Sequence, residues 1–227
     1  MRILPLLLPV LACSAYEIGG PIIDLRLQVG VVSTPDILEE TSLPGNASTS
    51  FDWDGAKKWA PAFEVLWMEG ASINQRGNRG FIWGAGVHVL STNQIPDDYT
   101  ATIDNLLYRQ VGLVGAAGYA TRPKDSEFGE WHFEALGMVR GGGLQAETAG
   151  ADGTGGLKVE GGYGYWWEVA PQVGAYLADD GWLLGFAAEW RWGQGAVSID
   201  GFADNSTHDL TYRTSGPGAW LVLGWRM

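Results

Sequence analysis

The stretch WLLGFAAEWRW, residues 182–192, decides the fold. Its even positions are Trp182, Leu184, Phe186, Ala188, Trp190 and Trp192, and its odd positions are Leu183, Gly185, Ala187, Glu189 and Arg191. One set is wholly apolar with aromatic ends; the other mixes small residues with both charges. Side chains alternate across a β-strand with a period of two, so the split reads as a strand between two unlike environments. A helix would set Glu189 and Arg191 about 200° apart and scatter the aromatics around its circumference.

The same alternation recurs along the chain. Ile23 to Val31 alternate with Asp24, Arg26, Gln28 and Gly30; Trp59 to Trp67 alternate with a set that includes Glu64; Phe81 to Val89 alternate with Ile82, Gly84, Gly86 and His88. Residues 106–120 give a fourth segment, and Trp131 to Val139 a fifth, set against His132, Glu134 and Arg140. In the sixth, Tyr163, Tyr165, Trp167 and Val169 oppose Gly164, Trp166 and Glu168. The last, GAWLVLGWRM, sets Leu221, Leu223 and Trp225 against Trp220, Val222 and Arg226. With 182–192 this makes about eight strands. The 34 glycines among 227 residues also disfavour helix, since glycine inside a helix costs about 1 kcal/mol relative to alanine.

The connections alternate between long and short. Segments 34–57, 92–104, 143–158 and 194–209 are long and rich in Gly, Asn, Asp, Ser and Thr, whereas 72–78, 122–129 and 178–181 are shorter. Long outer loops and short inner turns are the rhythm of an antiparallel up-and-down transmembrane β-barrel. Within 178–181, an even-length turn keeps the apolar faces of strands six and seven together. Asp180-Gly181 suits a two-residue type I′ turn, which sets Glu168 diagonal to Arg191, whereas Asp179-Asp180 as the turn would set the two directly opposite.

A soluble, lipocalin-like periplasmic binding barrel is the competing all-β architecture. It would carry a charged exterior, whereas here the minor face holds Gly, Ala and isolated charges. Aromatic residues repeat near the ends of the apolar face, at Trp59, Trp67, Phe81, Trp131, Tyr163, Tyr165, Trp182, Trp190, Trp192 and Trp225. Such girdles mark the two membrane interfaces. The apolar face is therefore assigned to lipid and the minor face to the lumen.

With these patterns the chain resembles the small eight-stranded bacterial outer-membrane barrels, the class of the outer membrane protein A transmembrane domain. The resemblance spans nearly all of the chain and is strongest where Leu221, Leu223 and Trp225 alternate toward the C-terminus, though the sequence ends in Met227 where an aromatic residue is usual. It implies residence in the outer membrane, contact with its lipids and lipopolysaccharide, delivery by the barrel assembly machinery, and a monomer.

The N-terminus fits export. Residues 1–15 have the order of a signal peptide: one Arg, an apolar run from Ile3 to Ala12, then Cys13, Ser14 and Ala15. The barrel domain is then 16–227. Cys13 is the single cysteine, so no intrachain disulfide forms, and its VLAC context is similar to a lipobox. The formal charge of −12 and the absence of a basic stripe exclude nucleic acid as a partner.

The inward list is Asp24, Glu64, Glu134, Glu168 and Glu189 against Arg26, Arg140, Arg191 and Arg226. Near-balanced charge in so narrow an interior predicts an ion-pair network that plugs the lumen, because each buried charge needs a partner. Glu168 and Arg191 are expected to pair, with Glu189 and Arg140 in the same network; a small-solute pore is the alternative. No catalytic set is expected. His88 and Ser91 are three positions apart and face opposite ways, His132 lacks a serine on its strand, and His208 is assigned to a loop. A lipid-A-modifying enzyme would need pairs from different strands. The acidic loop residues Asp52, Asp54, Asp97, Asp98, Asp200 and Asp204 could bind divalent cations, but solvated carboxylates are the simpler expectation, so neither metal nor cofactor is assigned.

Overall fold

The computed structural model describes residues 22–43, 47–52, 58–70, 80–95, 105–121, 124–151, 157–200 and 206–226. Cys13, the predicted signal peptide, Asp54, Asp97, Asp98 and Asp204 lie outside them. Eleven strands form: β1 (Ile22–Ser33), β2 (Asp36–Leu43), β3 (Ala47–Asp52), β4 (Trp59–Gly70), β5 (Gly80–Gln94), β6 (Leu106–Ala120), β7 (Lys124–Ser126), β8 (Gly129–Ala151), β9 (Leu157–Asp179), β10 (Trp182–Ile199) and β11 (Thr207–Arg226). Eight of them, β1, β4, β5, β6, β8, β9, β10 and β11, pair in antiparallel sequence, and β11 returns to β1 to close the ring.

The stagger of this barrel follows from its register. Crossing from strand to strand, Ile22 faces Gly70, which faces Ile82, then Gly118, Leu136, Gln172, Glu189, Gly218 and finally Val32. One circuit therefore climbs ten residues on β1, from 22 to 32. For eight strands about 4.8 Å apart, a climb of about 33 Å tilts each strand about 40° from the barrel axis. That tilt brings side chains from strands remote in sequence to one level of a narrow lumen.

The lipid-facing pattern is plain in exposure. On β10, Trp182, Leu184, Phe186, Trp190 and Trp192 are exposed while Leu183, Ala187, Glu189 and Arg191 are buried. All ten predicted girdle aromatics lie on the outer surface. Trp182 and Trp225 meet edge-on with centroids 4.7 Å apart at the inner rim, where Phe81 also meets Tyr119 at 5.8 Å, and Trp190 lies 6.4 Å from Trp192 further out. An apolar exterior around charged contents is the reverse of a soluble binding barrel. No helix among the described residues is long and apolar enough to cross a membrane, a criterion that does not apply to strands.

Several expected loops are strand. Segment 34–57 contains β2 and β3, a hairpin that pairs with the outer end of β11 from Asp36↔Arg213 to Ser42↔Thr207. β8 and β9 continue their ladder from Arg140↔Glu168 out to Ala151↔Leu157, through most of 143–158. β10 and β11 extend through 194–199 and 207–209, which places His208 in a strand, and β7 occupies part of the turn at 122–129. A crossing needs about 9–11 residues, so the 23 residues of β8 and of β9, against 12 in β1 and β4, raise one wall well above the membrane.

Two local devices hold this geometry. Asp180 and Gly181 both adopt positive φ, 43° and 87°, and join Asp179↔Trp182 in the expected two-residue I′ turn. Gly112 and Gly142 face each other on β6 and β8. A Cβ at Gly112 would come within 2.3 Å of the Gly141 carbonyl and 3.0 Å of the Trp166 ring, so hydrogen there leaves room for an indole in the lumen.

Candidate functional site

The lumen holds two layers of charge with amides between them. In the inner layer, the Arg26 guanidinium donates to both oxygens of Glu134, at 2.7 and 2.8 Å, and to Asp24 at 2.8 Å. Arg226 donates from Nε to the other Asp24 oxygen at 2.9 Å. His132 reaches Glu134 through Nε2 at 3.1 Å and stacks on Tyr176, with centroids 5.3 Å apart, while Arg26 lies over the same ring at 4.9 Å. Two carboxylates thus meet two guanidinium groups, and Tyr176 supplies an aromatic face to the buried cation.

The second layer centres on Arg140, whose side chain is fully buried. It donates from Nε to Glu64, from Nη1 to Glu168 at 3.1 Å and from Nη2 to Glu189 at 2.7 Å, joining β8 to β4, β9 and β10. Arg191 donates from Nε to both oxygens of Glu168 at 3.1 Å and approaches Glu189 at 3.9 Å. Its Nη1 also donates to the Ser33 carbonyl at 3.3 Å. Glu168 stands opposite Gly193 and therefore diagonal to Arg191, in the register set by the Asp180-Gly181 turn. A planar guanidinium presents five donors in a fixed fork, so one arginine can serve three carboxylates only when they converge from different strands. His88 donates from Nδ1 to Glu64 at 2.8 Å, because a carboxylate can only accept, and its ring lies 5.2 Å from that of Trp166.

Between the layers Gln172 donates from Nε2 to Gln28 at 3.4 Å and to Glu189 at 3.3 Å. Outward of Arg140, the buried Tyr108 and Tyr212 rings lie 4.7 Å apart, tilted by 36°, with Leu106, Leu144, Ile37 and Val197 in the same apolar cluster. Of the nine predicted lumen charges, eight are buried; Arg226, beside the inner rim, keeps about a fifth of its side chain exposed. Asp52 and Asp200 are exposed, and the described residues contain no group of His, Cys, Asp and Glu able to hold a metal ion.

A third polar group sits at the outer mouth, where no site was expected. The Ser206 hydroxyl lies 3.0 Å from His208 Nε2, and His208 Nδ1 lies 2.8 Å from Glu39 Oε1. Thr41 Oγ1 is 3.2 Å from the same carboxylate oxygen and 3.1 Å from Nδ1. Glu39 and Thr41 come from β2 and His208 from β11, and all four side chains are buried. The signal in the sequence was the spacing in STH, 206–208: a serine and a histidine two apart share one strand face. The polar composition of 194–209 masks it, because β11 already begins at Thr207 within that segment.

No family model matches the chain, and neither does any curated protein. Solved structures similar to it include the outer membrane protein OprG from Pseudomonas aeruginosa, at 12% identity over 92% of this chain and 96% of that one, with a TM-score of 0.47. The outer membrane protease OmpT from Escherichia coli aligns at 10% identity over 90% and 97%, with a TM-score of 0.41. Ail, the attachment invasion locus protein of Yersinia pestis, aligns at 9% identity over 90% and 98%, with a TM-score of 0.33. The chain itself, a closed ring of eight antiparallel strands with an apolar exterior and charged contents, is a membrane-spanning β-barrel of the bacterial outer-membrane kind.

Proposed function

We propose that the protein is a monomeric outer-membrane barrel with a sealed lumen, which acts as a structural or surface-interaction element through its outer rim. The observation that carries this reading is Arg140, fully buried and bonded to Glu64, Glu168 and Glu189 across the lumen. Solute passage would have to break contacts that hold four strands at one level, and each broken pair strands a desolvated charge. The tyrosine pair just outside this layer adds an apolar obstruction. Lipopolysaccharide and outer-membrane lipids surround the barrel, and the assembly machinery delivers it.

The test is electrical. Purified protein reconstituted in planar bilayers gives no discrete conductance, whereas the triple variant Glu64→Ala, Arg140→Ala, Arg191→Ala produces steps. Regular unitary conductance from the unaltered chain would replace the sealed barrel with a small-solute pore.

A further inference from the structure

We propose that Ser206, His208 and Glu39 form a hydrolytic triad at the outer mouth of the barrel, which cleaves carboxylic esters bearing an apolar acyl group. The polarity of the contacts carries the assignment. With Glu39 ionised, its oxygens can only accept, and the proton in the 2.8 Å contact with His208 then belongs to Nδ1. Nδ1–H fixes the tautomer, leaving the Nε2 lone pair to accept the hydrogen bond from Ser206, 3.0 Å away. A nucleophile bonded to a base that is held by a third group is the arrangement that activates a serine hydroxyl. Thr41 donates to Glu39 at 3.2 Å and so helps keep the carboxylate aimed at the ring.

The surroundings select the substrate class. His208 is paired across the sheet with Ile199 on one side and Thr41 on the other, and Leu210 stands opposite Glu39. Ile199, Leu210 and Ile37 are all buried and belong to the same apolar cluster as Tyr108, Leu144 and Tyr212. An apolar acyl chain that displaces part of this packing would find an apolar bed beside Ser206. Ser206 and His208 are only 2% and 3% exposed, so turnover is slow and requires displacement of the groups that cover them.

The reaction balances with water as the only co-reactant. Ser206 Oγ attacks the ester carbonyl carbon as its proton passes to His208 Nε2. The tetrahedral intermediate then expels the alcohol oxygen, which takes that proton, and the acyl group remains on Ser206. Water attacks the acyl-serine, again giving a proton to Nε2, and collapse releases the carboxylic acid and returns the proton to Ser206. Glu39 never touches substrate; it is a positioning residue.

The experiment uses the full folded chain in detergent micelles with a butyl fluorophosphonate, which forms an Oγ–P bond and releases fluoride, and with p-nitrophenyl butyrate. A single adduct on the Ser206 peptide is expected, together with ester hydrolysis above the micelle blank. Ser206→Ala should abolish both, His208→Gln should slow hydrolysis about a hundredfold, and Ser215→Ala, at an exposed serine, should change neither. Glu39→Gln should slow labelling and Glu39→Asp restore most of it. Heat-modifiable mobility of each variant reports folding separately. No adduct on the folded unaltered chain, or labelling indifferent to Ser206→Ala, would overturn the triad and leave a hydrogen-bonded cap, while the sealed lumen would stand or fall on conductance alone.

Discussion

Asp24 and Arg226 face each other across the seam where the ring closes, and Arg226 Nε donates to Asp24 Oδ1 at 2.9 Å. Asp24 also receives Arg26, so one carboxylate ties the seam to the inner charge layer. Asp24→Asn should therefore weaken two arginine contacts at once, while Arg226→Ala, at a partly exposed side chain, should cost only about 1 kcal/mol. Both effects are read as lowered temperatures for loss of heat-modifiable mobility, and an equal or larger loss for Arg226→Ala would contradict the ranking.

Glu168 and Arg191 share three buried hydrogen-bonding contacts. Truncating either alone should cost about 3 to 5 kcal/mol, because the other is left charged and unpaired, and truncating both should cost clearly less than the sum. A double-mutant cycle by urea unfolding in detergent measures this. Arg140 also bonds Glu168, so the Glu168→Ala variant should be the more damaged of the two single variants.

The lipid boundary gives a graded prediction. Phe186, 68% exposed within the apolar band, should cost about 2 to 4 kcal/mol when replaced by Lys, whereas Trp182→Lys at the inner rim should cost about 1 kcal/mol or less. Unfolding into denaturant from lipid vesicles separates the two. Equal costs would mean that the two positions do not differ in depth.

Gly112→Val tests the space beneath the outer aromatics. The added methyl groups would strike the Gly141 carbonyl and displace the Trp166 indole. Overpacking of this kind costs about 1 to 3 kcal/mol, and a changed tryptophan emission should accompany it. An unaltered spectrum with unaltered stability would show that the indole has room to spare.

The strands that cross lipid were legible because lipid is one solvent and the lumen another. Trp190 and Trp192 against Glu189 and Arg191 is a contrast that needs no coordinates. The register was legible to within two choices, since the faces demand an even turn that either Asp179-Asp180 or Asp180-Gly181 supplies, and the structure takes the second. Above the membrane the contrast disappears. In β2 the inward residues are Ile37, Glu39 and Thr41 and the outward ones include Leu38, Glu40 and Ser42, so neither face is distinctly apolar and the alternation carries no sign. His208 was lost for the same reason, and with it Ser206 and Glu39, whose meeting depends on β2 docking against β11. Convergence of Glu64, Glu168 and Glu189 on Arg140 required the tilt, which no single strand encodes.

The seam also orders events in time. β9 and β10 are joined by two residues and can zip as soon as both exist, but the contact between Asp24 and Arg226 encloses 202 residues of chain. Loops of that length are entropically slow to close, and the closing partner comes last in chain order among the eight ring strands. Every other hairpin can form on an unfinished chain; the ring cannot. Until then β1 and β11 are open edges with unpaired backbone groups, which hydrocarbon does not tolerate. The growing sheet must therefore finish pairing before or while it enters the bilayer. A chain shortened from its C-terminal end should fail by aggregation through those edges, even with most of its hairpins correctly made.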